Sequence, residues 1–137
     1  MESDAQEQVV PITSAADIVS ARQEGRSLAS RLGFSSSDLT VIATAISEVA
    51  RNILEYAGGG EIRLSLCQEG GRQGVCVVAY DKGPGIPDVE KALRDGYSTH
   101  KGLGLGLPGA RRLMDEFEVV SEMGSGTTVT MKKWAAH

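Results

Sequence analysis

Two apolar stretches, EIRLSLC (61–67) and GVCVVAY (74–80), are separated only by QEGGRQ, and this limits the fold more than any other feature of the 137-residue chain. A connection this short and turn-rich can only double a strand back on its neighbour, because a parallel partner needs a crossover of about a dozen residues. The segment FEVVSEMGSGTTVTMKKW repeats the device, turning at Gly124-Ser125-Gly126. Ahead of the first pair, EQVVPI (Glu7–Ile12) reads as a short strand. Ser14 and Asp17 then give a start signal for a helix running to about Leu32 and stopped by Gly33. Ser37 is expected to cap a second helix through Tyr56, ended by Gly58-Gly59-Gly60. A short polar helix is expected from about Asp88 to Asp95, and Pro108 opens a third long helix, LPGARRLMDEF. The order βααββαββ predicts an α/β two-layer sandwich, with a mixed, mainly antiparallel sheet and three main helices on one face. At 137 residues and 41% hydrophobic, the chain is expected to form a single domain over residues 1–137, with residues 1–6 disordered.

Charge and composition remove several function classes. The formal net charge is −4 and the basic residues are scattered, so no nucleic-acid surface is expected. The opening MESDAQEQ is polar and the apolar runs are far too short to span a bilayer, so a soluble, cytoplasmic protein without membrane contact is expected. Cys67 and Cys76 fall on neighbouring strands and are expected as buried reduced thiols. Neither they nor His100 and His137 have metal-ligand spacing, so a zinc site has no material.

GLGLGLPG (102–109) contains a formal G-x-G-x-x-G at Gly104, Gly106 and Gly109. A dinucleotide fingerprint requires an apolar strand immediately before it, whereas DGYSTHK stands there, polar and turn-forming. A P-loop pattern is absent. Leu103, Leu105 and Leu107 alternate with the glycines, which a solvated linker would not do. What remains is a loop whose leucines pack while its glycine amides approach an anion, running into a helix start that favours negative charge.

A second glycine loop, DKGPGIP (81–87), leaves the strand GVCVVAY. Asp81 places a carboxylate at the strand end, and Gly83 and Gly85 let backbone come close to a flat ligand such as an adenine ring. In ATAISEVARNILEY, Val41, Ile42, Ala45, Ile46, Val49 and Ile53 form one apolar stripe. Glu48 and Asn52, four apart, stack on one face at its edge.

Read together, Glu-x-x-x-Asn on a helix, Asp-x-Gly-x-Gly after a strand, a glycine-rich loop before a helix and Gly-Thr-Thr (126–128) resemble the Bergerat-fold ATP-binding family of histidine kinases, gyrase and MutL. AISEVARNILEYAG, DKGPGIPDVEKALRDGYST and GLGLGLPGARRLMDEFEV look like the RsbT-type serine/threonine switch kinases, over essentially the whole chain. The resemblance implies ATP and Mg²⁺ as cofactors, with Asn52 as the metal ligand and Glu48 as the general base. It implies that Asp81 reads adenine, helped by Thr127 or Thr128 directly or through water, in a pocket shaped by Gly83 and Gly85. Gly102, Leu103, Gly104, Leu105 and Gly106 would wrap the phosphates, behind a lid from Arg94 to Lys101 in which His100 and Lys101 are candidate γ-phosphate contacts. Neither His100 nor His137 suits a phosphoacceptor histidine, so transfer to a partner protein is expected. In RsbT-like proteins the acceptor is a serine of a STAS-domain antagonist or scaffold, and the released kinase binds and activates a PP2C-type phosphatase. The alternative implied by the wider family is an ATP-dependent anti-sigma factor.

Overall fold

Two helices lie between the first strand and the second, and that pair of reversals fixes how the sheet begins. In the computed structural model, which describes residues 7–86, 89, 93 and 106–135, β1 (Gln8–Ile12) is followed by α1 (Ala15–Ala29), a 3₁₀ turn (Ser30–Leu32) and α2 (Ser36–Ala57). The chain thus re-enters the sheet running against β1, and β2 (Gly60–Glu69) pairs with it antiparallel, Val10 opposite Ile62. The hairpin to β3 (Arg72–Asp81) forms as the sequence predicts, with Leu64 opposite Val77. α3 (Gly106–Leu113) precedes β4 (Glu116–Glu122) and β5 (Gly126–Trp134).

β5 inserts between β3 and β4 and runs against both, so these two strands run the same way. The order is β1-β2-β3-β5-β4, and every described pairing is antiparallel. The helices pack on one face. Alternation sends Ile62, Leu64, Val75, Val77, Val129 and Met131 inward against Ile42, Ile46, Val49 and Ile53 of α2. Cys67 and Cys76 point to the other face, where both are free and half-buried and not, as expected, fully buried. Partial desolvation pushes the Cys67 thiol up to about 11 and raises Cys76 as well.

The helix ends follow local chemistry. Asp17 accepts from the Thr13 amide at 2.8 Å and the Ser14 amide at 3.1 Å, completing the expected capping box. These bonds, the Thr13 amide foremost, hold its carboxyl below the usual range. The cap of α2 is Ser35, not Ser37: Asp38 stands three positions after Ser35, and its amide donates to the Ser35 hydroxyl at 3.1 Å. α3 starts at Gly106, so Pro108 falls within its first turn, where a missing amide removes no intrahelical bond. Its C-terminus comes at Leu113, because Glu116 onward is already β4. The expected helix at 88–95 lies outside the described residues except for Val89 and Leu93, joined by a 3.1 Å backbone bond. Among the described residues no helix is long and apolar enough to cross a membrane, and no cluster of His, Cys, Asp and Glu could hold a metal.

Candidate functional site

Asp81 is the last residue of β3 and stands opposite Thr127 at the start of β5. Both face the helices and both are buried, at 6% and 5% exposure. The loop after Asp81 is held from two sides. Asp81 Oδ1 accepts from the Gly83 amide at 2.8 Å, and Gly83 lies so close to the end of α2 that a Cβ there would sit 2.6 Å from Ala57 Cβ. On the other side Gly85, at φ +87, abuts the β4–β5 turn, where a Cβ would come within 2.6 Å of the Glu122 carbonyl oxygen. The Gly124 amide donates to the Pro84 carbonyl at 2.9 Å, and the Ile86 amide donates to Ser121 Oγ at 2.7 Å. The loop is therefore a fixed wall beside the Asp81 carboxylate, with α2 and the β4–β5 hairpin as its supports.

Glu48 lies further back along α2. Helical rise puts it about 14 Å from Ala57 along the axis, with Asn52 between them. Although the helical stripe ends beside it, Glu48 is only 8% exposed, because α3 packs against that flank of α2. A buried carboxylate requires donors, and two are in place. The Gly106 amide, at the N-terminus of α3, donates to Oε1 at 3.0 Å, and the Arg51 guanidinium donates to Oε2 at 3.0 Å. Asn52 is half-buried, and its side-chain amide has no hydrogen-bond partner among the described residues. The loop wall, the Asn52 amide, the Glu48 carboxylate and the N-terminus of α3 thus follow one another along the flank of α2.

Of the residues singled out in the sequence, Glu48, Asn52, Asp81, Gly83, Gly85, Gly106 and Thr127 line this one side of the molecule. Thr128 does not: strand alternation turns it to the opposite face, in register with Tyr80 and Val120. His100, Lys101, Gly102, Leu103, Gly104 and Leu105, with the rest of the segment from Arg94, lie outside the described residues. Arg51 and Ser121 belong to the site without having been singled out. Arg51 carried a readable signal, three residues from Glu48. Ser121 carried a weaker one, the period-2 alternation that puts it on the inner face with Phe117 and Val119.

Residues 12–133 match the histidine kinase-like ATPase domain family. The chain is 52% identical over 118 residues to serine/threonine-protein kinase RsbT of Bacillus subtilis (strain 168), covering 86% of this chain and 89% of that one. It is 33% identical over 129 residues to an anti-sigma F factor of Geobacillus stearothermophilus, covering 83% and 87%. Among solved structures, the RsbU and RsbW domains of a Mycobacterium tuberculosis protein superpose with a TM-score of 0.63 at 21% identity, over 95% of this chain and 33% of that one. The mycobacterial sensor histidine kinase MprB superposes with a TM-score of 0.56 at 18% identity, over 94% and 97%. At those identities the two structures speak to the fold alone.

Proposed function

Because the chain belongs to the histidine kinase-like ATPase domain family, on the branch that holds serine/threonine-protein kinase RsbT and the anti-sigma F factors, we propose that it is an ATP-dependent protein serine/threonine kinase of a bacterial partner switch. It acts in the cytoplasm on a serine or threonine of a STAS-domain antagonist or scaffold, and once released binds and activates a PP2C-type phosphatase. The observation that carries this reading is the 3.0 Å bond from the Gly106 amide to Glu48. It joins a helix N-terminus suited to phosphate to a buried carboxylate suited to proton transfer, two parts that are 58 residues apart in sequence.

In phosphoryl transfer the protein's work is positioning and electrostatic stabilisation. Asp81, the loop to Ile86 and Thr127 receive the base, and the amides at the start of α3 face the phosphates. Glu48 accepts the proton of the incoming hydroxyl. A carboxylate offers about four lone-pair sites, and Arg51 and Gly106 use two, so the group is oriented and still able to accept. Asn52, one turn on with a side-chain oxygen uncommitted to any described residue, fits a ligand to Mg²⁺. Bound Mg²⁺ would neutralise charge on the transferring phosphoryl group.

The test is γ-labelled ATP with the purified protein and STAS proteins of the same cell, scored for labelled serine or threonine. Wild type should label a STAS protein, and Glu48→Gln should bind Mg-ATP but transfer ~10²–10⁴-fold more slowly, the usual worth of a general base. Full transfer by Glu48→Gln would remove the base role. Capture of a sigma factor with no STAS labelling would favour the anti-sigma reading, which now rests on the lower identity, 33% against 52%.

A further inference from the structure

The helices pack on one face of the sheet, and among the described residues no element packs on the other. Strand alternation fills that second face with every other residue, and the registers align these residues in rows across all five strands. One row runs from Pro11 through Tyr80 and Thr128 to Val120. The next runs from Val9 and Arg63 through Val78 and Thr130 to Glu118. Val9 is 50% exposed and Val120 61%, one at each edge of the sheet. Arg63 and Glu118 stand in the same row, on β2 and β4, with β3 and β5 between them. Three strand spacings separate them by about 14 Å, too far to pair within one chain. Arg63 gives its Nε–H to Glu61 on its own strand, which leaves the outer donors of the guanidinium for a second carboxylate. Glu118 is exposed and has no ion pair or side-chain hydrogen bond among the described residues.

We propose that this face binds a second copy of the chain, related by a two-fold axis that runs along the strands between β3 and β5. Such an axis lays β2 of one copy over β4 of the other and β3 over β5, and it keeps the rows at the same height. Arg63 then faces Glu118 of the partner subunit. The pair forms twice, once at each flank, because a two-fold contact repeats every pairing. Between the flanks Val78 meets Thr130 and Tyr80 meets Thr128, while Val120 lands on the β1–β2 side beside Pro11. Charge is what selects a second copy as the occupant: a positive and a negative flank in one row are complementary to their own two-fold image. Sheets packed face to face lie about 10 Å apart, a gap that an arginine and a glutamate span from opposite sides. Three rows across five strands give a flat footprint of roughly 20 by 20 Å, smaller than the ~800 Å² per partner of a standard stable interface, so the dimer is reversible, at micromolar or weaker affinity. Glu48, Asn52 and Asp81 lie on the helix side of the sheet, so both clefts stay open in the dimer, which does not depend on the kinase reading.

The experiment is analytical ultracentrifugation of the full chain between about 5 and 500 μM, a range that spans weak association. Wild type should pass from monomer towards dimer across it. Arg63→Glu and Glu118→Arg each set like charges opposite one another at both flanks, and each should weaken the dimer by roughly tenfold or more. Mixed one to one, the two variants should associate to within about threefold of wild type. In that heterodimer the new carboxylate at position 63 faces the new guanidinium at position 118, and the native Glu118 faces the native Arg63. A folding defect in either variant would not be rescued by mixing. A wild type still monomeric at the highest concentration, single variants that dimerise like wild type, or a mixture no more associated than its components would each overturn the inference. All three would leave the face to a different protein and the kinase reading intact.

Discussion

Asp81→Asn separates the two duties of one carboxylate. Oδ1 accepts from the Gly83 amide at 2.8 Å, and an asparagine carbonyl can keep that bond. The reversed amide would set its NH₂ against the Gly83 N–H, donor against donor, so the side chain is locked with its nitrogen where Oδ2 had been. The loop should therefore stay in place, and Tm should move by no more than about 4 °C, the shift that 1 kcal/mol produces in a chain of this size. At the ligand the change is severe. Adenine's amine loses a bond to a charged acceptor, worth about 1.5–3 kcal/mol, and meets a donor left unpaired, costing about 1–3 kcal/mol more. Together these predict a rise in the ATP dissociation constant of at least ~10²-fold. GTP should gain, since its carbonyl oxygen would now face a donor. Calorimetric titration of both nucleotides, alongside a melting curve, checks this. An ATP-over-GTP preference unchanged in a variant that binds and melts like wild type would refute the assignment of Asp81 to the base.

Asn52→Ala should weaken ATP binding in Mg²⁺ but not in EDTA, with stability within about 0.5 kcal/mol of wild type because its half-buried amide has no described partner; titration under both conditions decides. Gly83→Ala forces a methyl to 2.6 Å from Ala57 Cβ and 2.9 Å from its Cα, so it should cost about 1–3 kcal/mol in urea unfolding and weaken ATP binding as the loop lifts from α2. Wild-type values in both measurements would contradict that packing. The Cys67 thiol, pushed up to about 11 by burial, carries less thiolate at pH 8 than an ordinary cysteine. Alkylation should be ~10–100-fold slower than in the denatured chain, and should speed up as pH rises towards 11, because the thiolate is the reactive form. The same shift makes folding weaker, not stronger, above the ordinary thiol pKa: the unfolded chain ionises first, and this contribution is lost as pH rises through the folded value.

The parts of the fold that depend on local chain reversal are readable from residues. QEGGRQ dictates an antiparallel pair, and two successive helices dictate that β2 opposes β1. Adjacency is a different matter. β3 and β4 run the same way, which permits a mixed sheet, and nothing in the alternation of β4 or β5 says which of them lies beside β3. The structure resolves it by placing β5 there, and that choice has a functional consequence. It brings Thr127 opposite Asp81 and, through the hairpin, Ser121 opposite Thr127.

The same division between local and docked information runs through the site. Spacing of four puts Glu48 and Asn52 on one side of α2, and a helical wheel alone would leave Glu48 at the solvent edge of the stripe. What buries it is α3, whose position depends on the whole sheet. Once buried, the carboxylate needs two donors. Arg51 could be foreseen, since it is one turn away on the same helix; Gly106 could not, since its amide arrives only when α3 docks. The glycine-rich segment therefore has a meaning that its pattern does not carry. Gly106, at φ +69, is the middle glycine of a pattern that resembles a dinucleotide loop, and its amide is turned onto the acid of another helix. A side chain with a Cβ would be strained at that φ, so the bond between the N-terminus of α3 and the carboxylate of α2 depends on a glycine as much as on the glutamate it touches.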